Sequence, residues 1–172
     1  MALIKSLLGK TPKIGENTFL AENATIIGDV VIGDDCSIWY SAVIRGDVHS
    51  IRIGNNTNIQ DGVVIHATYK KSATNIGNNV TIAHGAIVHG CTLKDNVMIG
   101  MNAVILDDAI IESNSIIAAG SVVTKGTFVE SGSVYGGIPA KKIKDVDKKL
   151  LEGEVKRIAD AYSMYAGWYE EE

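Results

Sequence analysis

The chain has 172 residues, 46% hydrophobic and 21% charged, which suits one domain with a substantial core. A net charge of −4 gives no footprint for nucleic acid, and no run approaches the ~18 apolar residues of a membrane span. Cys36 and Cys91 are too few for a disulfide framework, and residues 1–10 lack the apolar core and cleavage site of a secretory signal, so a cytoplasmic protein is expected.

From residue 14 a large aliphatic side chain recurs every six positions: Ile14, Leu20, Ile26, Ile32, Ile38, Ile44. The rhythm resumes at Ile53, Ile59, Ile65, then at Ile76, Ile82, Val88, and continues from Leu93 to Val129. No helical repeat has this period. Four positions after each aliphatic residue stands something small or β-branched, such as Ala24, Val30 or Cys36. Three positions after it stands Asn, Asp or Gly almost throughout, including Asn17, Asn23, Asp29, Asp35 and Asp47, with Ser41 and Cys91 as exceptions. Asn, Asp and Gly adopt positive φ at low cost, so each hexad reads as a short strand ending in a tight corner. Three hexads close one coil. The expectation is an all-β solenoid, a parallel β-helix of hexapeptide repeats over residues 11–140.

The pattern stops after Ile138-Pro139-Ala140. Residues 145–172 are rich in Lys, Glu, Ala and Tyr, and Leu151, Val155, Ile158, Tyr162 and Tyr165 fall at helical spacing. This predicts an amphipathic C-terminal helix packed on the prism.

Three of the four histidines lie within residues 65–90. His66 and His89 each follow a hexad aliphatic, and those two aliphatics are three hexads apart, so the imidazoles stack one coil apart and point outward. His84 belongs to the preceding face, where a single prism has difficulty bringing it to the other two. A neighbouring prism related by threefold symmetry supplies it, which predicts a homotrimer with metal sites between subunits. Three imidazoles with an open fourth position form a ligand set of catalytic zinc. Register also puts Arg45 on the face of His66 and His89, and Gln60 and Asp61 on the face of His84. Asp47 sits at a corner position, where Asp is favoured anyway, and His49 reads as a solvated surface residue.

The runs IRGDVHSIRIGNNTNIQDGVVIH and IGNNVTIAHGAIVHGCTLKDNVMIGMNAVILD resemble the γ-class carbonic anhydrases. The RGD, NIQD, single-histidine and H-x4-H-G-C elements carry this resemblance, which covers residues 11–140 and the helical tail. It implies a left-handed coil, and it implies that His66, His84 and His89 bind Zn2+, with Fe2+ or Co2+ possible, His84 coming from the adjacent subunit. Arg45, Asp47, Asn58, Gln60 and Asp61 match positions lining the site, Gln60 orienting hydroxide or bicarbonate, and Tyr162 matches a tyrosine reaching it from the C-terminal helix. The implied reaction is reversible hydration of CO2 to bicarbonate by metal-bound hydroxide. The chain departs from the family pattern where Val48-His49-Ser50-Ile51-Arg52 runs straight on to Ile53, without an acidic insertion carrying a proton-shuttle glutamate. The loop at residues 67–73, ATYKKSA, is basic, and His49 is the remaining candidate shuttle.

Two other classes fit the same pattern. One is a hexapeptide-repeat acyltransferase or CoA-thioester-processing enzyme; no residue identifies its CoA groove, and Lys70 and Lys71, read first as solvated loop lysines, are the candidates for phosphate contact. The other is a metal-binding scaffold of little catalytic power.

Overall fold

Every hexad aliphatic from Ile26 to Val129 is buried in one continuous column, with Ile14 and Leu20 packed against its N-terminal end. The structure, a computed structural model, describes residues 1–170. Full burial of each such side chain contributes roughly 1.5–3 kcal/mol, and the column supplies it at nearly every sixth residue.

Three parallel sheets enclose the column in about seven coils. The first face takes Leu3–Lys5, the opening halves of the long strands Thr25–Ile32 and Val43–Ile53, then Val64–His66, Ile87–His89, Val104–Ile105 and Val122–Val123. The second takes Lys13–Ile14, the closing halves of the same long strands, Thr74–Ile76, Thr92–Leu93, Ile110–Ile111 and Phe128–Val129. The third runs from Phe19–Leu20 through Ser37–Ile38, Asn58–Ile59, Thr81–Ile82, Met98–Ile99 and Ile116–Ile117 to Ser133–Gly137. The strand Ala140–Asp145 pairs antiparallel with Ser133–Gly137 and ends that sheet.

The corners follow the predicted chemistry except at Asn23, Asp29 and Asp47. Asn17, Asp35, Asn56, Asn79, Asn96, Asn102, Asp108 and Asn114 adopt positive φ, as do Gly62, Gly85, Gly120, Gly126 and Gly132. Asn23 does not: its side chain instead accepts from the Ser41 backbone N–H at 2.7 Å, and Ser41, expected as an exception, takes φ +60°. Asp29 and Asp47 do not either, because the two long strands pass through that corner as a bend, with Gly28 at φ +77° against the Gly46 carbonyl. At the shortened hexad between Val88 and Leu93, where Cys91 is the expected exception, the left-handed residue is Gly90.

The C-terminal helix begins at Lys148, three residues later than the spacing predicted. Residues up to Asp145 are drawn into the sheet, and the Asp147 carboxylate caps the helix by accepting from Leu150 N at 2.8 Å. After Lys148–Leu150, a π-type stretch Leu151–Lys156 leads into Arg157–Glu170; residues 171–172 of the expected helix lie outside the described residues. Val155 packs on Ile116 and Val134, and farther along Tyr169 lies 5.6 Å from Phe19, so the helix runs back along the third face toward the first coils. Both cysteines are buried, and burial pushes their thiols up, Cys36 to about 11 and Cys91 to about 12, so neither is a nucleophile at neutral pH. No helix among the described residues is long and apolar enough to cross a membrane.

Candidate functional site

The register that stacks Ile65 under Val88 also makes His66 and His89 direct cross-strand partners on the first face. Their rings meet at a tilt of 57°, with His66 Nδ1 3.1 Å from His89 Nε2. The other nitrogen of each ring meets a carboxylate: His66 Nε2 lies 2.9 Å from Asp47 Oδ1, and His89 Nδ1 2.7 Å from Asp107 Oδ1. An ionised carboxylate only accepts, so those nitrogens carry the protons. In the neutral form of both imidazoles, the two nitrogens that face each other are the ones that hold lone pairs.

Neither carboxyl is free to take up a proton in place of the imidazoles. Partial burial works against ionisation of Asp47, but the hydrogen bonds from His66 and Arg45 outweigh it and hold the carboxyl below its ordinary range. For Asp107 the hydrogen bonds from Thr68 and His89 do the same against burial. Thr68 Oγ1 donates to Asp107 at 2.7 Å and Ser72 Oγ to Asp108 at 2.6 Å, so the loop at residues 67–73 reaches past the next coil and is fastened to the second one beyond it.

His84 stands elsewhere. It follows Thr81–Ile82 on the third face, with Nδ1 2.9 Å from Asp61 Oδ2 and Nε2 3.2 Å from the Tyr162 hydroxyl. Burial and then the Asp61 charge push the Tyr162 hydroxyl up, so it remains a donor to His84 Nε2. Asn58 and Gln60 are buried on the same face: Gln60 Nε2 donates to Asn58 Oδ1 at 3.0 Å, and Asn58 Nδ2 donates to Thr81 Oγ1 at 2.9 Å. The sequence-predicted residues therefore fall into two groups. Arg45, Asp47, His66 and His89 form one, and Asn58, Gln60, Asp61, His84 and Tyr162 form the other. Among the described residues of one chain, no three metal-ligating side chains converge on a point.

The fit to a metal can be tested on the donors themselves. All three candidate histidines hand one N–H to an aspartate and leave the other nitrogen as a lone pair, the arrangement that orients imidazole toward a metal. His49 differs, since its Nδ1 accepts the Ser50 N–H at 2.8 Å and no carboxylate among the described residues meets its ring. Two nitrogens on one tetrahedral ion at 2.0–2.1 Å stand about 3.3 Å apart, close to the His66–His89 spacing. A divalent ion fits this donor set.

A family model described as bacterial transferase hexapeptide (six repeats) matches residues 11–46 and 90–125. The γ carbonic anhydrase 2 of Arabidopsis thaliana, a mitochondrial protein, is 40% identical over 167 residues, 94% of this chain and 59% of that protein. The chain spans about three-fifths of the length of the curated relatives it matches. A hexapeptide transferase family protein from Anaplasma phagocytophilum is 40% identical with TM-score 0.92, covering 97% of this chain and 98% of that one. A candidate acetyltransferase from Bacillus cereus is 35% identical with TM-score 0.95, covering 99% and 98%. The chain belongs to the γ-carbonic-anhydrase-like hexapeptide-repeat family. Its coil is the left-handed β-helix of those structures.

Asp107, in this γ-carbonic-anhydrase-like chain, is the site residue that sequence reasoning missed. The signal was present: Asp107 follows Ile105 by two positions, one coil beyond Gly90, just as His84 lies one coil beyond Asp61. Gly90 makes room for it, since a Cβ there would collide with Asp107 Oδ1. Asp107→Asn should weaken metal binding roughly 10–100-fold, the usual effect of losing a carboxylate behind a ligating imidazole. Competition against a chromogenic chelator measures this, and unchanged affinity would place Asp107 outside the site.

Proposed function

We propose that the chain assembles as a homotrimer and hydrates CO2 reversibly to bicarbonate at three metal sites between subunits. Each site takes His66 and His89 from one subunit and His84 from the next. The observation that carries this reading is the pair of aspartate-anchored imidazoles, His66 and His89, whose facing nitrogens lie 3.1 Å apart. The carbonic anhydrase relatives support the reaction.

Assembly is supported by the first face. Its outward residues Val43, Val64, Ile87, Val104 and Val122 form an aliphatic ladder, and Val64 and Ile87 are exposed in the single chain. The C-terminal helix lies along the third face, where the outward Ser37, Asn58, Thr81 and Ile116 are buried; among the described residues no element covers the first face in the same way. An exposed aliphatic ladder beside half a metal site is what a second copy would cover.

Zn2+, or Fe2+ or Co2+ in its place, would supply Lewis acidity that brings the pKa of a water to about 7. Asp47, Asp61 and Asp107 fix the tautomers of the three imidazoles, so each presents a lone pair without reorganisation. Gln60 gives its N–H to Asn58, which leaves its carboxamide oxygen to orient the substrate or product. Tyr162 occupies His84 Nε2 in the single chain, at the place the ion would take. His49 lines a cavity of about 460 Å3 that also contains Asp47, Arg52 and Lys70, and it is the side chain there suited to pass a proton to solvent.

A second reading, acyl transfer or thioester processing, draws on the transferase relatives and on Lys10, Arg52 and Lys70 around that same cavity. Stopped-flow CO2 hydration separates the two. Protein loaded with Zn2+, or with Fe2+ without oxygen, should accelerate hydration, and chelation should return it to background. No acceleration with either metal, together with metal-independent acyl-CoA turnover, would overturn carbonic anhydrase activity in favour of the second reading.

A further inference from the structure

The chain holds only ten aromatic side chains, and six of them line a single pocket beside the end of the C-terminal helix. Trp39, Tyr162, Tyr165, Trp168 and Tyr169 form most of its wall, and Asp61 is its one charged residue. The volume is about 250 Å3, suited to a small organic molecule. Attachment of the helix does not account for the whole cluster. Trp39 is buried and makes edge contacts with Tyr162 at 5.3 Å and Tyr169 at 5.7 Å, which is sufficient to fasten the helix. Trp168 and Tyr169 nonetheless remain more than half exposed, at 58% and 52%. Within a single chain Asp61 pairs with His84 alone among the described residues, and no Lys or Arg of that chain reaches it.

Aromatic faces carry negative charge, and a carboxylate among them adds a full one. Such a pocket discriminates by charge as well as shape. It favours a cation whose charge is spread over methyl groups, because that cation gives up little hydration when it enters. We propose that this pocket binds a small methylated or quaternary ammonium group, with Trp168 and Tyr169 closing over it and Asp61 as counter-ion. The binding site adjoins His84 through Asp61 and Tyr162, and it holds whether or not the imidazole site hydrates CO2.

Trp39 and Trp168 are the only two tryptophans, so intrinsic fluorescence reports directly on the pocket. The full chain is titrated with choline and with its neutral isostere 3,3-dimethyl-1-butanol at constant ionic strength, and calorimetry repeats the choline titration on Trp168→Ala and Asp61→Asn. Choline should give a saturable change at concentrations at least tenfold below the isostere, and both variants should lose at least tenfold in choline affinity while keeping the wild-type circular dichroism spectrum. No saturable response to choline, equal response to the two compounds, or unchanged affinity in folded Trp168→Ala would each overturn the proposal.

Discussion

His66→Ala is expected to lose its divalent metal and to fall to the uncatalysed rate of CO2 hydration while remaining folded. The imidazole supplies one of the two facing lone pairs, and its removal leaves His89 without the neighbour that positions an ion against it. Structural zinc sites gain about 10–16 kcal/mol from four ligands, so one ligand accounts for a loss on the order of a hundred- to a thousandfold in affinity. The fold has little reason to follow. The side chain points outward, the column beneath it is Ile65, and Asp47 keeps Arg45 as a partner. Metal analysis by mass spectrometry and a thermal melt check both halves of this outcome. A variant that retains full metal and catalyses hydration would remove His66 from the centre.

Gly90→Ala should damage stability and metal binding together. Gly90 stands at φ +57°, and an L side chain in that region costs about 1–2 kcal/mol. For a chain of this size that lowers the melting temperature by roughly 2–8 °C. The new Cβ also collides with Asp107, and the carboxylate that moves aside is the one that accepts the His89 Nδ1–H. Metal affinity should therefore fall about as far as in Asp107→Asn, roughly 10–100-fold, whereas Asp107→Asn should leave the melting temperature nearly unchanged. Wild-type metal affinity in Gly90→Ala would show that the Asp107 contact does not shape the site.

The fold was legible because its physics is periodic. One inward aliphatic per six residues and a residue tolerant of positive φ at each corner leave little freedom, and the His66–His89 register follows by counting hexads. The calculation failed where the period failed. In Val43–Ile53 the chain bends through a corner as continuous strand, without a left-handed residue, so Asp47, expected as a corner residue, faces His66 instead. Asn23 was misplaced because its side chain serves the next coil rather than its own turn. The start of the C-terminal helix was hidden because the lysines of Ala140–Asp145 carry no alternation that marks a strand; pairing with Ser133–Gly137 decides it. The aromatic pocket was the least legible feature, since Trp39 and Trp168 are far apart in sequence and meet only when the helix turns back along the third face.

Both groups of candidate residues lie in one chain, yet they belong to different faces, and the proposed reaction needs them together. Mixing His66→Ala with His84→Ala tests this requirement. Each variant alone should be inactive and metal-poor. Random co-assembly places an intact His66–His89 pair beside an intact His84 at about a quarter of the interfaces, so the mixture should recover about a quarter of wild-type metal and hydration activity. A mixture no more active than either parent, or a His84→Ala protein that keeps its metal and activity unaided, would contradict a site shared between subunits.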